Sequence, residues 1–466
     1  MTLTTTLARF ACQLQLSDVP PTLVTKLKLH VLDALGCGWA ASGTGLGDQA
    51  RALARASGGL GQCQVFAGSS DYSPAAAAFA NAFIINALDH DDGVEIDGKG
   101  MGHPGSSLVA AAMAALDSHP GAISEADLLA ALAAGFEINN RLINALQPSA
   151  ESFAKAYGVA QHQAIGAAVV YARACGFDEQ QMHHTLGFAA TLACVPSLHK
   201  YNWQQRPIVT LKDGVAPAAQ AGVQAALMAR AGLAGSQDVL DGPQGYWRMI
   251  GSDRFAERDL IEGLRCDWYL RFGSFKRYPA CRWLATALEC AQQLIRTSGW
   301  APEDIAQINV RTFARLCDDF MVYAPASATD AQFSLPYTLA ATLMQLPATD
   351  WYSEANLHSP ELRALAAKVH ADVDPELDAR WLSADRQPGA QVTLVHSNGE
   401  AIQAAQATPY GSEKRPMADM EVIAKAQANL QGRVREPERF IRNLLASGSD
   451  ANYPAGSGQW MGSARA

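Results

Sequence analysis

Helical periodicity rich in small residues runs almost without interruption from residue 20 to about residue 265. Near its start, apolar residues recur at spacings of three and four, at Leu23, Leu27, Val31 and Leu35. The many alanines and glycines in these segments allow helices to approach one another closely. This pattern predicts a large, compact all-α domain, and a chain of 466 residues has room for a further domain.

The pattern changes after about residue 268, where β-branched residues and turn signals become frequent. The segment 305–313 predicts a strand, and two alternating runs around Asn398-Gly399 predict a β-hairpin. Residues 268–407 therefore predict a smaller α+β domain. The helical run at 418–432 can rejoin the helical domain.

Composition and charge exclude several classes of function. The formal net charge is −9 and no basic stripe runs along the chain, which argues against nucleic acid and membrane surfaces as partners. No segment offers the roughly 18 apolar residues of a membrane span, and the N-terminal residues do not predict a signal peptide. Nine scattered cysteines without a C-x-x-C pair predict reduced thiols and a cytoplasmic location.

The stretch from residue 86 to residue 107 carries the strongest chemical signal. Asp89 follows a nearly all-apolar helix, and His103-Pro104 begins the next one. Because positive dipole ends at a helix N-terminus favour neutral imidazole, His103 is suited to accept a proton. The acids match neither the regular ligand spacing of a calcium loop nor that of a zinc site, so we predict no metal. An acid/base site is the prediction, and a solvated acidic loop is the alternative.

Two cationic clusters supply the second part of a candidate site. Their sequences, 199–214 and 271–283, also contain aromatic and glycine residues, a setting that suits recognition of carboxylates or phosphates. The second cluster lies where the chain leaves the helical domain, and ligand clefts often form at domain boundaries. Solubility of the surface is the alternative. The cationic residues are His199, Lys200, Arg206 and Lys212 in the first cluster, and Arg271, Lys276, Arg277 and Arg282 in the second.

Several of these stretches, in this order and spacing, resemble the MmgE/PrpD family over most of the chain. The family includes 2-methylcitrate dehydratase, cis-aconitate decarboxylase and iminodisuccinate epimerase. The matching segments are 31–40, 79–92, 102–111, 166–181, 218–235, 240–246, "FKRYPACRW" at 275–283, "AQFSLPY" at 331–337 and "KRPM" at 414–417. No single motif decides the resemblance, which rests on the order of all of them.

The resemblance implies a mainly α fold, in which a large all-α helical-bundle domain carries an inserted, smaller α+β lid domain. It agrees with the bounds that the sequence pattern predicts, which are 1–267 and 408–445 for the helical domain and 268–407 for the lid, while the Gly/Ser/Ala-rich residues 446–466 predict a loose C-terminal tail. It also implies a homodimer that needs no cofactor, with the active site between the two domains.

Site residues follow from the same resemblance. Asp89 and His103 match the catalytic loop of the family, Lys276 its cleft lysine and Tyr337 its tyrosine. With Tyr157 as a further hydroxyl donor, these are the predicted catalytic residues. We assign substrate binding to Lys212, Arg277, Gly93 and Asp92.

The sequence also departs from the family pattern. Gly93 stands where a threonine is common, and Tyr157-Gly158-Val159 stands where His-Pro-Thr is common. Val209 and Lys212 replace the lysine and histidine of a Lys-x-x-His segment. Asn86 and Ala285 replace two further histidines. The reaction of one relative therefore does not transfer directly to this chain.

The family reactions share the formation of a carbanion next to a carboxylate, which needs a base, an acid and cations that hold the developing charge. We predict a cofactor-independent lyase of the dehydratase type, acting on a small polycarboxylate or hydroxy acid. A decarboxylase belongs to the same chemistry. The alternatives are an epimerase or isomerase with two bases, and an inactive protein that binds carboxylates.

Overall fold

The structure is a computed structural model. It describes residues 2–97, 99–100 (backbone only), 102–119, 123–149, 151–153, 160–193, 206–211, 213–384, 386–446 and 457. The chain is mainly helical with two small sheets, which confirms the predicted mainly α class.

The helices before residue 268 are α1 (Leu3–Gln13), α2 (Pro21–Ala41), α3 (Gly45–Ser57), α4 (Pro74–Asn86), α5 (Pro104–Ser118), α6 (Glu125–Leu146), α7 (Gln161–Ala174), α8 (Glu179–Leu192), α9 (Val215–Arg230), α10 (Tyr246–Met249) and α11 (Glu257–Ile261). Those after it are α12 (Ala285–Ser298), α13 (Ala314–Asp319), α14 (Ala328–Ala331), α15 (Leu335–Leu343), α16 (Glu354–Leu357), α17 (Pro360–Ala366), α18 (Pro375–Leu382), α19 (Asp419–Leu430) and α20 (Pro437–Ala446). The strands are β1 (Leu60–Cys63), β2 (Gly93–Ile96), β3 (Lys99–Gly100), β4 (Gly273–Ser274), β5 (Ile305–Thr312), β6 (Val369–Val373), β7 (Ala390–His396) and β8 (Ala401–Gln406).

Small residues bring the central helices into backbone contact. A Cβ added at Gly135 on α6 would lie 2.9 Å from the carbonyl oxygen of Gly166 on α7. One added at Gly222 on α9 would lie 2.6 Å from the carbonyl oxygen of Ala164 on the same α7. The small residues noted in the sequence thus form the core of the helical region, where they let α7 pack between α6 and α9.

The larger sheet has the strand order β6-β5-β7-β8, with β5 and β6 parallel and the other pairs antiparallel. It confirms the predicted strand at 305–313 and the hairpin between β7 and β8. Gly399 has a φ of +93°, a conformation that suits glycine and closes this hairpin.

The smaller sheet, in the order β3-β2-β4, was not predicted from the sequence. Gly93 in β2 pairs with Ser274 in β4, so the segment after α4 lies beside the segment that enters the predicted second domain. This pairing brings two of the candidate site segments together.

The helix α19, which follows the larger sheet, packs against α2, and Lys425 lies 2.6 Å from Asp33 across this contact. The chain therefore returns to its N-terminal helices after the larger sheet. The domain bounds, the lid and the homodimer stay predictions. Ser457, inside the tail predicted to be loose, is buried and donates from its backbone N–H to Asp117 (2.7 Å).

Within the described ranges, no helix has both the length and the apolar character needed to cross a membrane.

The close approach of α7 and α9 predicts the effect of adding one methyl group. In Gly222→Ala the new Cβ would meet two backbone atoms of α7, Ala164 O at 2.6 Å and Ala168 N at 2.7 Å, so the helices must separate. We expect the free energy of unfolding to fall by about 1–3 kcal/mol in denaturant titrations. Gln224→Ala, at an exposed position of α9, is the control and should change it little. Equal stability of the two variants would contradict this packing.

Candidate active site

The acidic loop, residues 87–93, connects α4 to β2 and is buried. Asp89 has a φ of +52°, a left-handed conformation that residues with side chains rarely adopt. The side-chain amide of Gln332 donates to the carbonyl of Ala87 (2.8 Å) and fixes the entry to the loop. Such local strain is typical of functional positions.

An ion pair joins the acidic loop to the segment that follows β4. Lys276 Nζ lies 2.9 Å from Asp89 Oδ1, and only 5% and 3% of the two side chains are exposed. Because β2 pairs with β4, Lys276 comes directly alongside the loop. A buried carboxylate needs such a partner to offset its loss of hydration.

His103 occupies the N-cap position of α5, as predicted, and its ring lies among three carboxylates. Nε2 is 3.6 Å from Asp89 Oδ1 and 3.6 Å from Asp213 Oδ2, and Nδ1 is 3.4 Å from Asp91 Oδ2. Its side chain is 14% exposed, more than those of the carboxylates around it. The structure thus brings Asp89, His103 and Lys276 together, and their catalytic roles stay predictions.

Asp91 is held by neighbours on both helices that border the loop. Asn86, at the end of α4, donates from Nδ2 to Asp91 Oδ1 (3.1 Å), and the hydroxyl of Ser106 on α5 also donates to Asp91. These contacts fix the carboxylate that faces Nδ1 of His103.

Asp92 points toward the base of α5. It accepts a hydrogen bond from the Gly105 N–H (2.9 Å), and its Oδ2 lies 2.8 Å from Nδ1 of His30. Burial and the neighbouring Asp91 raise the pKa of Asp92 to about 8, while burial lowers the pKa of His30 to about 3. These contacts position α5 and His103, and the predicted role of Asp92 in substrate binding stays a prediction.

Two other predicted residues lie to the sides of the cluster. The guanidinium of Arg277 lies 5.6 Å from the centre of the Tyr410 ring, while its backbone carbonyl faces Nε2 of His90 (3.2 Å). Tyr337 is buried, and its hydroxyl donates to the carbonyl of Trp351. No contact described for these two side chains joins them to His103, and their site roles stay predictions.

Of the other predicted residues, some lie within the described part of the chain and some lie outside it. Gly93 is buried at the start of β2, opposite Ser274. Tyr157 and Lys212 lie outside the described residues, as do His199 and Lys200 of the first cationic cluster. Arg206, which belongs to that cluster, forms an ion pair with Asp330, in which Nη1 lies 2.7 Å from Oδ1.

Sequence reasoning missed two residues that touch His103. Asp213 precedes Gly214, the left-handed N-cap of α9. An Asp-Gly pair directly before a helix could therefore have indicated this residue from the sequence. The carboxamide of Gln163 lies 2.8 Å from the backbone nitrogen of His103 and 3.2 Å from its carbonyl oxygen, and with its oxygen turned to the nitrogen it accepts from the former and donates to the latter. Gln163 sits near the start of a small-residue helix, and nothing in the sequence marks it.

Asp89, Asp91 and His103 also offer potential metal ligands, because their donor atoms lie within 4.8 Å of one another. The ammonium group of Lys276 already lies 2.9 Å from Asp89 and would repel a second cation at that oxygen. The residues present therefore fit an acid/base site better than a metal centre.

The protein thus belongs to the mainly α class, and a buried cluster of acidic and basic side chains lies where the end of α4 meets the start of α5. Family models describe it further: the MmgE/PrpD N-terminal domain matches residues 5–258, and the MmgE/PrpD C-terminal domain matches residues 278–447. The chain belongs to the MmgE/PrpD family.

Curated relatives align along most of their length. The cis-aconitate decarboxylase of Aspergillus terreus is 25% identical over 95% of this chain and 93% of its own. The human enzyme of that name is 23% identical, with 76% of this chain and 72% of its own covered, and the mouse enzyme is 22% identical, with 89% and 84% covered.

The raised pKa of Asp92 predicts a pH dependence of stability. The folded protein keeps this carboxyl protonated up to about pH 8, whereas an unfolded aspartate releases its proton at about pH 4. Between these values the folded state binds more protons, so the contribution of Asp92 to stability falls as the pH rises. Asp92→Asn, which imitates the protonated form, removes this contribution.

The test is to titrate wild type and Asp92→Asn with denaturant from pH 4 to pH 8. The difference between the two free energies of unfolding, variant minus wild type, should increase as the pH rises. Curves that stay parallel over this range would rule out a proton held at Asp92.

Proposed function

We propose that this protein is a cofactor-independent lyase of the dehydratase type, acting on a small polycarboxylate or hydroxy acid. The observation that carries the proposal is the position of His103, whose imidazole contacts Asp89, Asp91 and Asp213 beside the buried pair of Asp89 and Lys276. A proton acceptor, carboxylates that orient it and a cation are the groups that enediolate chemistry requires.

Each group has a part in the proposed reaction. His103, the most exposed member of the cluster, takes a proton from the carbon next to a substrate carboxylate. The electron pair moves into that carboxylate as an enediolate, and the ammonium of Lys276 offsets the growing negative charge. A hydroxyl on the adjacent carbon then leaves as water with a proton from a second acid, so the double bond forms. Asp89 orients both Lys276 and His103.

Decarboxylation is the second candidate, and the names of the relatives favour it. In that reaction the bond to a carboxylate breaks, carbon dioxide leaves, and the electron pair remains on carbon until an acid protonates it. The same cation and the same histidine, now as the acid, would serve. Because the chain departs from the family pattern at Gly93, Tyr157 and Val209, the reaction named for these relatives is not carried over to it directly, and decarboxylation stays the second candidate.

The reaction can be assigned by proton NMR of candidate acids incubated with the purified protein in D2O, with and without EDTA. The candidates are cis-aconitate, citrate, 2-methylcitrate and malate. Loss of a hydroxyl as water, with a new double bond and every carbon retained, supports dehydration, and carbon dioxide release with one deuterium gained at carbon supports decarboxylation. Deuterium exchange without loss of water or carbon dioxide supports an epimerase. Binding without any change supports an inactive carboxylate-binding protein and overturns the proposal.

Loss of His103 should abolish most of the turnover. We expect His103→Ala to lower kcat by about 10²- to 10⁴-fold, because a positioned acid/base group contributes that much. His119→Ala removes the histidine at the opposite end of α5 and serves as the control, with turnover near that of wild type. Unchanged turnover in a folded His103→Ala protein would remove His103 from the mechanism.

A further inference from the structure

Gly93 leaves a space that the side chain of Arg282 fills. The residue is buried at the start of β2, and its φ lies outside the left-handed region, so the backbone does not require glycine there. A Cβ at this position would lie 3.2 Å from Nη2 of Arg282 and 3.4 Å from Oγ of Ser274. A larger residue would have to displace the guanidinium.

Two contacts hold the guanidinium in this space. Nη1 lies 2.9 Å from Oε1 of Glu95, and Nη2 donates to Oγ of Ser274 (2.9 Å). An arginine has five N–H donors in a planar fork, so these contacts leave donors available. The Arg282 side chain is 17% exposed, so a ligand can reach it.

The guanidinium lies beside the backbone segments that carry His103 and Lys276. The Cβ position that is 3.2 Å from Arg282 is also 3.6 Å from the carbonyl oxygen of Gly102, which directly precedes His103. On the other side, Ser274, which accepts from Arg282, lies two residues before Lys276 in the sequence. Arg282 is therefore close to the chain at both of these residues.

The other cations of the segment 271–283 have different surroundings. Arg271 is half exposed and pairs with Asp267, and the guanidinium of Arg277 lies over the ring of Tyr410. Lys276 is buried against Asp89. Among the described side chains of this segment, Arg282 thus combines a position at the cluster with exposed donors.

We infer that Arg282 binds a second carboxylate of the substrate, one that Lys276 does not hold, and that it sets the preference for polycarboxylates. The inference rests on the function proposed above. The planar fork of a guanidinium matches the two oxygens of a carboxylate, whereas the ammonium of a lysine acts as a point charge. Glu95 orients the fork through its contact with Nη1.

The test uses calorimetric titration with two unreactive probes, propane-1,2,3-tricarboxylate and butyrate, which has a single carboxylate. Arg282→Leu should weaken binding of the tricarboxylate by about 10- to 100-fold, the effect of one charge-assisted pair, and that of butyrate much less. Arg282→Lys should restore part of the affinity. Arg271→Leu removes a cation from the same segment and should bind both probes as wild type does.

The variant Glu95→Gln/Arg282→Leu separates binding from folding, because it removes both charges of the partly buried pair. It should unfold near the wild-type temperature and still show the weakened tricarboxylate binding. Wild-type affinity for both probes in a folded Arg282→Leu protein would overturn the role of Arg282 alone. Failure of the wild-type protein to bind either probe would overturn it together with the proposed function.

Discussion

Burial of acidic side chains inside a helical core is the constraint on which the rest of the structure depends. The buried aspartates on and around the acidic loop are Asp33, Asp89, Asp91 and Asp92. A carboxylate removed from water is costly unless ions or hydrogen bonds replace its hydration. The partners come from different parts of the chain: a lysine after β4, a lysine on α19, and polar groups on α4 and α5. The positions of these elements are therefore coupled.

The same constraint explains the strained backbone at Asp89. A residue with a side chain in the left-handed region costs about 1–3 kcal/mol, and contacts on both sides of it must offset that cost. Gln332 binds the carbonyl of Ala87 before it, and Lys425 binds the carbonyl of His90 after it. Held from both directions, Asp89 turns its carboxylate toward Lys276 and His103. The cluster is thus preorganised by backbone contacts that Gln332 and Lys425 make on either side of Asp89.

Features that depend on local sequence could be predicted. Proline and serine at helix starts, the Asn398-Gly399 turn and the apolar helix before Asp89 all act over a few residues, and the structure has the elements that they predict. The family resemblance, and no local pattern, allowed us to predict that Asp89, His103 and Lys276 lie together. It supplies the order of the segments that carry them.

Features that depend on the direction of a long side chain could not be predicted. Arg277 and Arg282 lie in one basic segment, and from the sequence we predict substrate binding at Arg277 and not at Arg282. The structure turns Arg277 toward Tyr410, and it gives Arg282 the space beside Gly93. Similarly, Asp213 and Gln163 reach His103 only because α9 and α7 pack around α5.

The charges around His103 indicate why the glycine and the arginine belong together. Asp89, Asp91 and Asp213 surround the imidazole, and Lys276 pairs with Asp89. Counted over the described residues, the proposed anionic substrate would meet more negative than positive groups here, and a further cation at the edge of the cluster would offset them. A threonine in place of Gly93 would offer a hydroxyl but no charge, and its Cβ would crowd the guanidinium of Arg282. In the proposed role of Arg282, a glycine that admits this arginine would replace a neutral contact by a cationic one, and the exchange would change which anions the site can hold.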